Sequence, residues 1–144
     1  MLVSQILKAK PSDGVVTIAP DATVSDAANL LSTKRIGSIV VSADGKTADG
    51  ILSERDIVRE IGKRGPGCLS ETVSAMMTAD PIVCSVSDTA DQVLTRMTDG
   101  RFRHMPVVQD GTMIGLITIG DVVKSRLTEL AMEKDALEGM IMGH

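Results

Sequence analysis

The sequence predicts a mixed α/β (α+β) fold made of two tandem β-α-β-β-α repeats that pack against each other with pseudo-two-fold symmetry. The first observation is internal similarity, since Asp21–Gly45 aligns on Ser87–Gly111 at an offset of 66 positions. The second is a pair of strand-to-helix corners, "GILSERDIV" and "GLITIGDVV", that recur at an offset of 65 positions. The third is size, because one repeat of roughly 60 residues buries too little apolar surface to be stable alone.

Each repeat contains five predicted elements in the same order. A short strand ("GVVTI" or "PIVCSV") precedes a helix whose apolar residues recur at i, i+3, i+4 and i+7. An apolar strand ("IGSIVV" or "HMPVV") then reaches an Asp-Gly pair, which is typical of a tight hairpin turn. The third strand ("ADGILS" or "MIGLIT") runs into a second helix, which begins at Ser53 or Thr118.

These patterns divide the chain into five segments. They are an N-terminal segment (1–14), the first repeat (15–62), a linker helix (63–79), the second repeat (80–127) and a C-terminal helical tail (128–144). A flexible "GKRGPG" loop (62–67) is predicted where the first repeat meets the linker. We expect the short amphipathic N-terminal helix to pack on the second repeat or on a neighbouring molecule. Two interpretations of the tail stay open: a helix that caps the fold, or an arm that forms a dimer.

Composition and charge exclude several classes of function. The net charge is −4 and the only aromatic residue is Phe102, so we expect neither a basic stripe nor a stacking platform for nucleic acid. Cys68 and Cys84 suit a cytoplasmic protein without disulfides or a metal site. The first 14 residues have no 7–15-residue apolar run, so we do not expect them to be a signal peptide, and no stretch approaches the ~20 apolar residues that a membrane span needs.

No catalytic motif is present in the sequence. A nucleophile at a recognisable spacing from a histidine is missing, and no glycine-rich phosphate loop follows a strand. We therefore expect a protein that is not an enzyme.

The two corners carry the same chemistry, a hydroxyl and a carboxylate three residues apart: Ser53 with Asp56, and Thr118 with Asp121. A fixed carboxylate can accept hydrogen bonds from both hydroxyls of a ribose, and the free amides at a helix start favour a nearby phosphate. The same residues also make an ordinary helix cap. One such motif alone favours capping, whereas the matched pair favours ligand binding in at least one place.

The duplicated unit, in which each copy ends in Gly-aliphatic-aliphatic-Ser/Thr-x-x-Asp before a helix, resembles the cystathionine-β-synthase (CBS) domain pair, or Bateman module, over about residues 11–127. "SERDIVREI" and "RFRHMPVV" are similar to small bacterial CBS-pair proteins with no attached enzyme. The resemblance implies clefts between the repeats that bind an adenosine-containing ligand such as AMP, ADP, ATP, NAD(H) or S-adenosylmethionine. It also implies a homodimer, in which four repeats form a flat disk.

The resemblance implies that the two clefts are unequal. Arg103 and His104, by this resemblance, reach ligand phosphates in the cleft of Thr118 and Asp121, which should therefore bind anionic nucleotides better. Thr118 would orient the sugar or a phosphate. The alternative interpretations are a solvated edge residue for Arg103 and a structural histidine for His104.

The equivalent positions in the first repeat are Gly37 and Ser38. The cleft of Ser53 and Asp56 is therefore expected to bind a smaller or less charged ligand, or to stay empty. Arg55 precedes Asp56 directly, and we expect it to point into water rather than at a phosphate.

Aliphatic side chains are expected to hold the adenine, because we expect no aromatic residue for it to stack on. The candidate wall residues of the second cleft are Ile18, Ala22, Ala27 and Met105. Those of the first are Cys84, Asp88 and Val93.

The sequence therefore predicts a regulatory sensor of adenine nucleotides that transmits ligand binding to an unidentified partner protein. The alternative is an interaction or dimerisation module with vestigial clefts, which works without a ligand.

Overall fold

The computed structural model describes residues 1–10 and 14–142, and it has the α+β architecture of two repeats that the sequence predicts. A short helix, α1 (Val3–Ala9), comes first. The first repeat then contains β1 (Thr17–Ile18), α2 (Val24–Lys34), β2 (Ser38–Val41), β3 (Gly50–Ser53) and α3 (Glu54–Arg64). Strand β1 pairs in parallel with β2, and β2 pairs antiparallel with β3.

A connecting segment and the second repeat complete the chain. The segment contains a 3-10 helix (Pro66–Ser70), α4 (Val73–Met76) and β4 (Thr78–Ala79). The second repeat contains α5 (Ala90–Gly100), β5 (His104–Gln109), β6 (Thr112–Thr118) and α6 (Ile119–Met142). Helix α6 has 24 residues and runs without a break from the second corner into the predicted tail, whose last two positions lie outside the described residues.

The first strand of the second repeat is shorter than predicted. "PIVCSV" makes one parallel bridge, in which Cys84 pairs with Val107. The chain then turns, because the Ser85 amide donates to Asp88 Oδ2 at 2.8 Å and the Asp88 amide donates to the Ser85 carbonyl at 3.1 Å.

The two Asp-Gly pairs behave differently. Asp110 and Gly111 both have positive φ (52° and 78°) and join β5 to β6 directly, as the hairpin motif predicts. The prediction of a tight turn is wrong for the first repeat, where a longer loop joins β2 to β3. There Asp44 Oδ1 accepts hydrogen bonds from the amides of Lys46 at 2.8 Å and Thr47 at 2.9 Å, which hold the chain in a wider turn.

Each repeat is completed by the segment that precedes the other repeat. Helix α4 joins the first repeat, where the Val73 amide donates to the Ala22 carbonyl at 2.7 Å, and β4 extends its sheet beside β3. Helix α1 joins the second repeat in the same way, where the Val3 amide donates to the Asp88 carbonyl at 2.9 Å. The "GKRGPG" loop is shorter than predicted, because α3 continues to Arg64 and the 3-10 helix follows after one residue.

The apolar core has two parts, one in each repeat. In the first repeat, Leu31, Ile39 and Leu52 pack with Val73 of α4. In the second repeat, Val93, Met97 and Ile117 pack with Val3 and Ile6 of α1. The borrowed helices therefore contribute buried residues to both cores.

Two glycines permit this close packing of borrowed segments. A Cβ on Gly50 would overlap the Met77 side chain and lie 3.0 Å from the Thr78 carbonyl oxygen. A Cβ on the equivalent Gly115 would lie 2.8 Å from Leu7 Cδ2. We expect Gly50→Ala to lower the free energy of unfolding by about 1–3 kcal/mol, and by more than Gly115→Ala, because a backbone carbonyl yields less than a leucine side chain.

Urea unfolding of the two variants tests this order, with Gly62→Ala as the control. Gly62 lies within α3 with no atom near its would-be Cβ, so its replacement should raise stability by about 0.5–1 kcal/mol. Equal stabilities of Gly50→Ala and Gly62→Ala would contradict the packing argument.

Candidate ligand-binding clefts

Two clefts open between the repeats, and each lies at one of the strand-to-helix corners. The first cleft has a volume of about 810 Å³ and is lined by Ser53 and Asp56. The second cleft has a volume of about 620 Å³ and lies at the Thr118 corner. Both volumes fall in the ~300–1,000 Å³ range of small-molecule sites. Gly37, His104 and Thr118 line both clefts, so the two cavities share a wall.

The corner in the first cleft is a complete capping box at the start of α3. The Ser53 amide donates to Asp56 Oδ2 at 3.0 Å, and the Asp56 amide donates to Ser53 Oγ at 3.2 Å. The second carboxylate oxygen of Asp56 accepts a hydrogen bond from Arg59 at 2.9 Å. The Arg59 side chain is 55% exposed, and exposed ion pairs contribute only ~0–1 kcal/mol. A ligand hydroxyl can therefore displace Arg59 at small cost.

The first cleft is rich in charged side chains, with positive charge in slight excess. Its lining contains four arginines: Arg55, Arg59, Arg101 and Arg103. It also contains three carboxylates: Glu54, Asp56 and Asp80. The guanidinium group presents a fork of donors that matches phosphate oxygens, so this set of side chains suits an anionic ligand.

One wall of the first cleft is apolar. It contains Ile51, Pro81, Ile82, Phe102 and Ile119. Ile82 is 52% exposed, although large apolar side chains are more often buried. A flat ring of a ligand would cover such a wall favourably, and Phe102 adds an aromatic face.

The corner in the second cleft is also a capping box, but a lysine covers its carboxylate. The Thr118 amide donates to Asp121 Oδ2 at 2.9 Å, and the Asp121 amide donates to Thr118 Oγ1 at 3.1 Å. Lys10 Nζ lies 2.8 Å from the same Oδ2 and 2.8 Å from the Leu116 carbonyl oxygen. Lys10 therefore lines the second cleft at the place where Asp121 was expected.

The remaining lining of the second cleft is mostly apolar, with Leu7, Val15, Val16 and Ile36 among its residues. Ser38 also lines it, and its buried hydroxyl has no hydrogen-bond partner within residues 1–10 and 14–142. Buried hydroxyls normally have partners, so this group is an exception among the described residues.

His104 lies on the shared wall, opposite Gly37. A Cβ on Gly37 would lie 3.6 Å from His104 Nε2 and 3.7 Å from Glu54 Oε1, which is ordinary van der Waals contact, so an alanine would fit there. Burial lowers the pKa of His104 below its usual value, although the nearby Glu54 carboxylate opposes this shift. His104 is therefore mainly neutral at pH 7.

We expect this lowered pKa to make folding stability depend on pH. The unfolded chain binds a proton at His104 more readily than the folded chain, so stability falls as the pH drops from about 6.5 towards the lower folded-state pKa. Urea unfolding between pH 7.5 and 5.5 should show a steeper loss for the natural chain than for His104→Gln. Parallel curves would contradict the assignment.

The structure corrects the predicted partners of Arg103. Arg103 lines the first cleft with Asp56 and lies outside the lining of the second cleft, although Thr118 lines both. Ser38 makes the opposite exchange and lines the second cleft instead of the first. Alignment of the repeats identifies equivalent positions, but it does not say which corner each position faces across the repeat interface.

The predicted wall residues are also corrected. Met105 and Ala27 are fully buried core residues, and Ile18 and Ala22 pack against the core of the first repeat. None of them lines either cleft.

The proposed wall residues of the first cleft are likewise structural. Cys84 and Val93 lie in the second core, and burial raises the pKa of the Cys84 thiol to about 11. Asp88 pairs with Arg96 at 2.8 Å.

The alignment of the repeats overlooked the residues that do line the clefts. Phe102 aligns on Ile36, and both residues line a cleft, so their shared apolar character was a usable signal. Lys10 had no such signal, because its contact with Asp121 spans most of the chain. Arg55 lies in the first cleft lining, where its expected exposure to water is also observed.

Two repeats with paired capping-box corners and two clefts at their interface define a tandem-repeat module with two candidate ligand-binding clefts. The family model of the CBS domain matches residues 3–63 and 73–128. The chain therefore belongs to the CBS domain family and contains a CBS pair. Members of this class are generally regulatory rather than catalytic.

Several known proteins are similar to this chain. The CBS domain-containing protein CBSX3, mitochondrial, of Arabidopsis thaliana is 33% identical over 148 residues, which is 98% of this chain and 72% of the relative. A CBS-domain containing protein from Agrobacterium tumefaciens has a crystal structure that superposes with a TM-score of 0.82, at 40% identity, over 88% of this chain and 99% of that one.

Two similar structures contain adenosine compounds. A CBS domain protein from Pyrobaculum aerophilum was solved in complex with AMP; its TM-score is 0.76 at 25% identity, over 92% of this chain and 99% of that one. A further CBS domain pair was solved with 5′-methylthioadenosine and S-adenosyl-L-methionine, with a TM-score of 0.74 at 25% identity over 90% and 96% of the two chains. Homologous CBS pairs thus bind AMP or compounds related to S-adenosylmethionine.

Metal-ligand clusters and membrane-spanning helices are both absent from residues 1–10 and 14–142. No cluster of three or more histidine, cysteine or acidic side chains there could hold a metal ion. No helix in the same part of the chain is both long and apolar enough to cross a bilayer.

Proposed function

We propose that this chain is a regulatory module that binds an adenine nucleotide, of the AMP, ADP, ATP or NAD(H) type, with the first cleft as the main site. Ligand binding there would join the two repeats and alter a surface that a partner protein contacts. The observation that carries the proposal is the composition of the first cleft, where four arginines and an apolar wall lie beside Asp56. The AMP complex of a similar CBS pair supports the choice of ligand class.

Each part of the cleft fits one part of a nucleotide. Arg101 and Arg103 supply forked donors for phosphate, and Phe102 with Ile82 supplies an apolar face for adenine. The Asp56 carboxylate would accept hydrogen bonds from the ribose after Arg59 moves away. Since the cleft is larger than a mononucleotide needs, dinucleotides also fit this class.

The second cleft is proposed as the weaker site. Lys10 forms a half-buried ion pair with the Asp121 carboxylate. A ribose would have to displace Lys10 from this pair, whereas in the first cleft it displaces the more exposed Arg59. Lys8 and Lys10 still give the cleft positive charge. This order reverses the expectation from the sequence.

Isothermal titration calorimetry of the whole chain tests the proposal with AMP, ADP, ATP, NAD, S-adenosylmethionine and adenosine. We expect AMP to bind tighter than adenosine by roughly tenfold, which corresponds to ~1.4 kcal/mol from the phosphate. Mass spectrometry of small molecules that copurify with the chain would identify the natural ligand. An absence of binding heat and of thermal stabilisation with every compound would reject the proposal.

A second candidate function is a ligand-independent interaction module. The specific observation in its favour is that both corner aspartates already have partners, in capping boxes and with Arg59 or Lys10. This candidate predicts a normal protein partner and no effect of nucleotides. Dimerisation into a four-repeat disk and a cytoplasmic location stay predictions under either candidate.

A further inference from the structure

The second cleft offers positive charge to a ligand but no carboxylate. Lys8 and Lys10 are the charged side chains among its described lining residues, and His104 beside them is mainly neutral. Asp121, the carboxylate of this corner, is paired with Lys10 and does not belong to the lining. In the first cleft the equivalent Asp56 lines the cavity directly. A ribose therefore meets its acceptor in the first cleft but meets an ammonium group in the second.

The Lys10 ammonium is held by two acceptors. Its Nζ lies 2.8 Å from Asp121 Oδ2 and 2.8 Å from the Leu116 carbonyl oxygen. The side chains of Lys10 and Asp121 are 32% and 21% exposed, so both charges have lost much of their hydration. A charge in such a place is costly unless it has a partner. A ligand that takes Asp121 from Lys10 must therefore give the ammonium another acceptor, or bind weakly.

The equivalent position beside the first cleft carries the opposite charge. Helices α1 and α4 occupy equivalent places, because the amides of Val3 and Val73 donate to equivalent carbonyls of the opposite repeats. The offset between these two residues, 70 positions, also aligns Lys10 with Asp80, and a proline follows each of them in the sequence. Asp80 lines the first cleft. A cation that covers the corner carboxylate is therefore specific to the second cleft.

The Lys10 ammonium can enter the cleft without movement of the backbone. Lys10 is the C-cap residue of α1, and its amide donates to the Leu7 carbonyl at 3.3 Å. Its side chain already lines the cavity, and a flexible four-carbon stem carries the ammonium. Charge-assisted hydrogen bonds to phosphate are roughly twice as strong as neutral ones. A phosphate group in the cleft therefore competes with Asp121 for Lys10.

We propose that Lys10 makes ribose binding in the second cleft conditional on a phosphate group. In the free chain Lys10 pairs with Asp121. When a nucleotide enters, its phosphate accepts the hydrogen bonds of the ammonium, and the released Asp121 carboxylate accepts those of the ribose hydroxyls. This inference rests on the proposed function, because it assumes that the corner carboxylates hold ribose.

A nucleoside lacks the phosphate that this exchange needs. Adenosine would release Lys10 from Asp121 and leave the ammonium without that acceptor. The first cleft imposes no such condition, because Arg59 is 55% exposed and returns to water when it is displaced. The second cleft therefore selects nucleotides over nucleosides, whereas the first cleft accepts both classes.

Amide NMR titrations of the whole isotope-labelled chain test this selection in each cleft separately. The Gly115 signal reports on the second cleft and the Phe102 signal on the first, because each residue lines only that cleft. We expect AMP to shift both signals. Adenosine should shift the Phe102 signal, but its affinity measured at Gly115 should be at least about tenfold below that of AMP.

Lys10→Met removes the ammonium and keeps an unbranched apolar stem. It should raise the affinity of the second cleft for adenosine by roughly tenfold, because Asp121 is then free to accept the ribose hydroxyls. The affinity for AMP should change little, since the lost phosphate contact opposes the released carboxylate. Adding Asp121→Asn to Lys10→Met should cancel the gain for adenosine.

The matched control is Lys8→Met. Lys8 lines the same cleft, but the Asp121 carboxylate is paired with Lys10 and not with Lys8. The replacement removes the same charge without releasing Asp121. AMP should therefore bind the second cleft somewhat more weakly in this variant, without any gain for adenosine.

The natural chain offers a test that needs no variant. Inorganic phosphate should bind Lys10 and raise the affinity of the second cleft for adenosine by roughly fivefold, relative to sodium chloride of equal ionic strength. The same addition should have no such effect on Lys10→Met.

An unchanged adenosine affinity at Gly115 in Lys10→Met, or an equal gain in Lys8→Met, would overturn the proposal. Equal affinities for AMP and adenosine at Gly115 in the natural chain, or no shift there with any compound, would also overturn it. Failure of the proposed function gives a different result, because the Phe102 signal would then respond to no adenine compound.

Discussion

The Arg103→Ala chain is expected to bind AMP roughly tenfold to a hundredfold more weakly than the natural chain, with little change in its affinity for adenosine. Arg103 lines the first cleft and is exposed, so its loss leaves the fold intact. A hydrogen bond to a charged group contributes ~1.5–3 kcal/mol, and ~1.4 kcal/mol is a factor of ten in affinity. Calorimetry with both ligands separates the phosphate contribution from that of the nucleoside.

The matched control for this prediction is Arg35→Ala. Arg35 is exposed and lines neither cleft. Its replacement by alanine removes the same charge from the chain as Arg103→Ala does. It should therefore change AMP affinity only through weak long-range electrostatics, which 0.15 M salt screens over ~8 Å. An equal loss of AMP affinity in both variants would contradict a direct contact with Arg103.

The corner aspartates provide a second test of the same cleft. Asp56→Asn should weaken AMP and adenosine together, because both compounds contain the ribose that this carboxylate is proposed to hold. Asparagine keeps an oxygen that can accept from the Ser53 amide, so the helix cap is retained. Asp121→Asn is the comparison, and it should change the main binding event less. The reverse order would move the main site to the second cleft.

Met105→Ala is expected to lower the free energy of unfolding by about 2–5 kcal/mol without changing the AMP affinity of the folded chain. Met105 is fully buried and packs in the second core with residues such as Met97 and Ile117. Removing its side chain loses buried apolar surface and leaves a cavity, which accounts for a loss of this size. Urea unfolding measures the stability, and calorimetry at low temperature measures the affinity.

Met132→Ala serves as the exposed control, and it should change stability by less than about 0.5 kcal/mol. A folded Met105→Ala chain with strongly reduced AMP affinity would mean that Met105 contacts the ligand after all. That outcome would restore the earlier assignment of Met105 to a cleft wall.

The repeat and both corners could be predicted because their signals are local. Apolar residues at helical spacing, and a hydroxyl three residues before an acid, report the structure of a few neighbouring residues. The continuation of helix α6 beyond the second corner was predictable for the same reason. The wider loop around Asp44 was not, because its geometry depends on side-chain hydrogen bonds to amides two and three residues further on.

The composition of the clefts depends on contacts between the repeats, and a comparison of the repeats with each other does not contain that information. Arg103 and Ser38, which align on Gly37 and His104, each line the cleft opposite to the one predicted. The contact of Lys10 with Asp121 joins the first segment of the chain to the last helix, so no local pattern indicates it. Met105 was misassigned because buried core and ligand wall require the same apolar residue types.

The exchange of α1 and α4 between the repeats has a consequence for the origin of this architecture. The helix that covers each repeat lies in the segment that precedes the other repeat. A primitive polypeptide with only one such unit and one leading helix would have left its own core uncovered. Two such molecules could cover each other's cores by exchanging their N-terminal helices. Gene duplication and fusion would then have turned this exchange between two molecules into a contact within one chain.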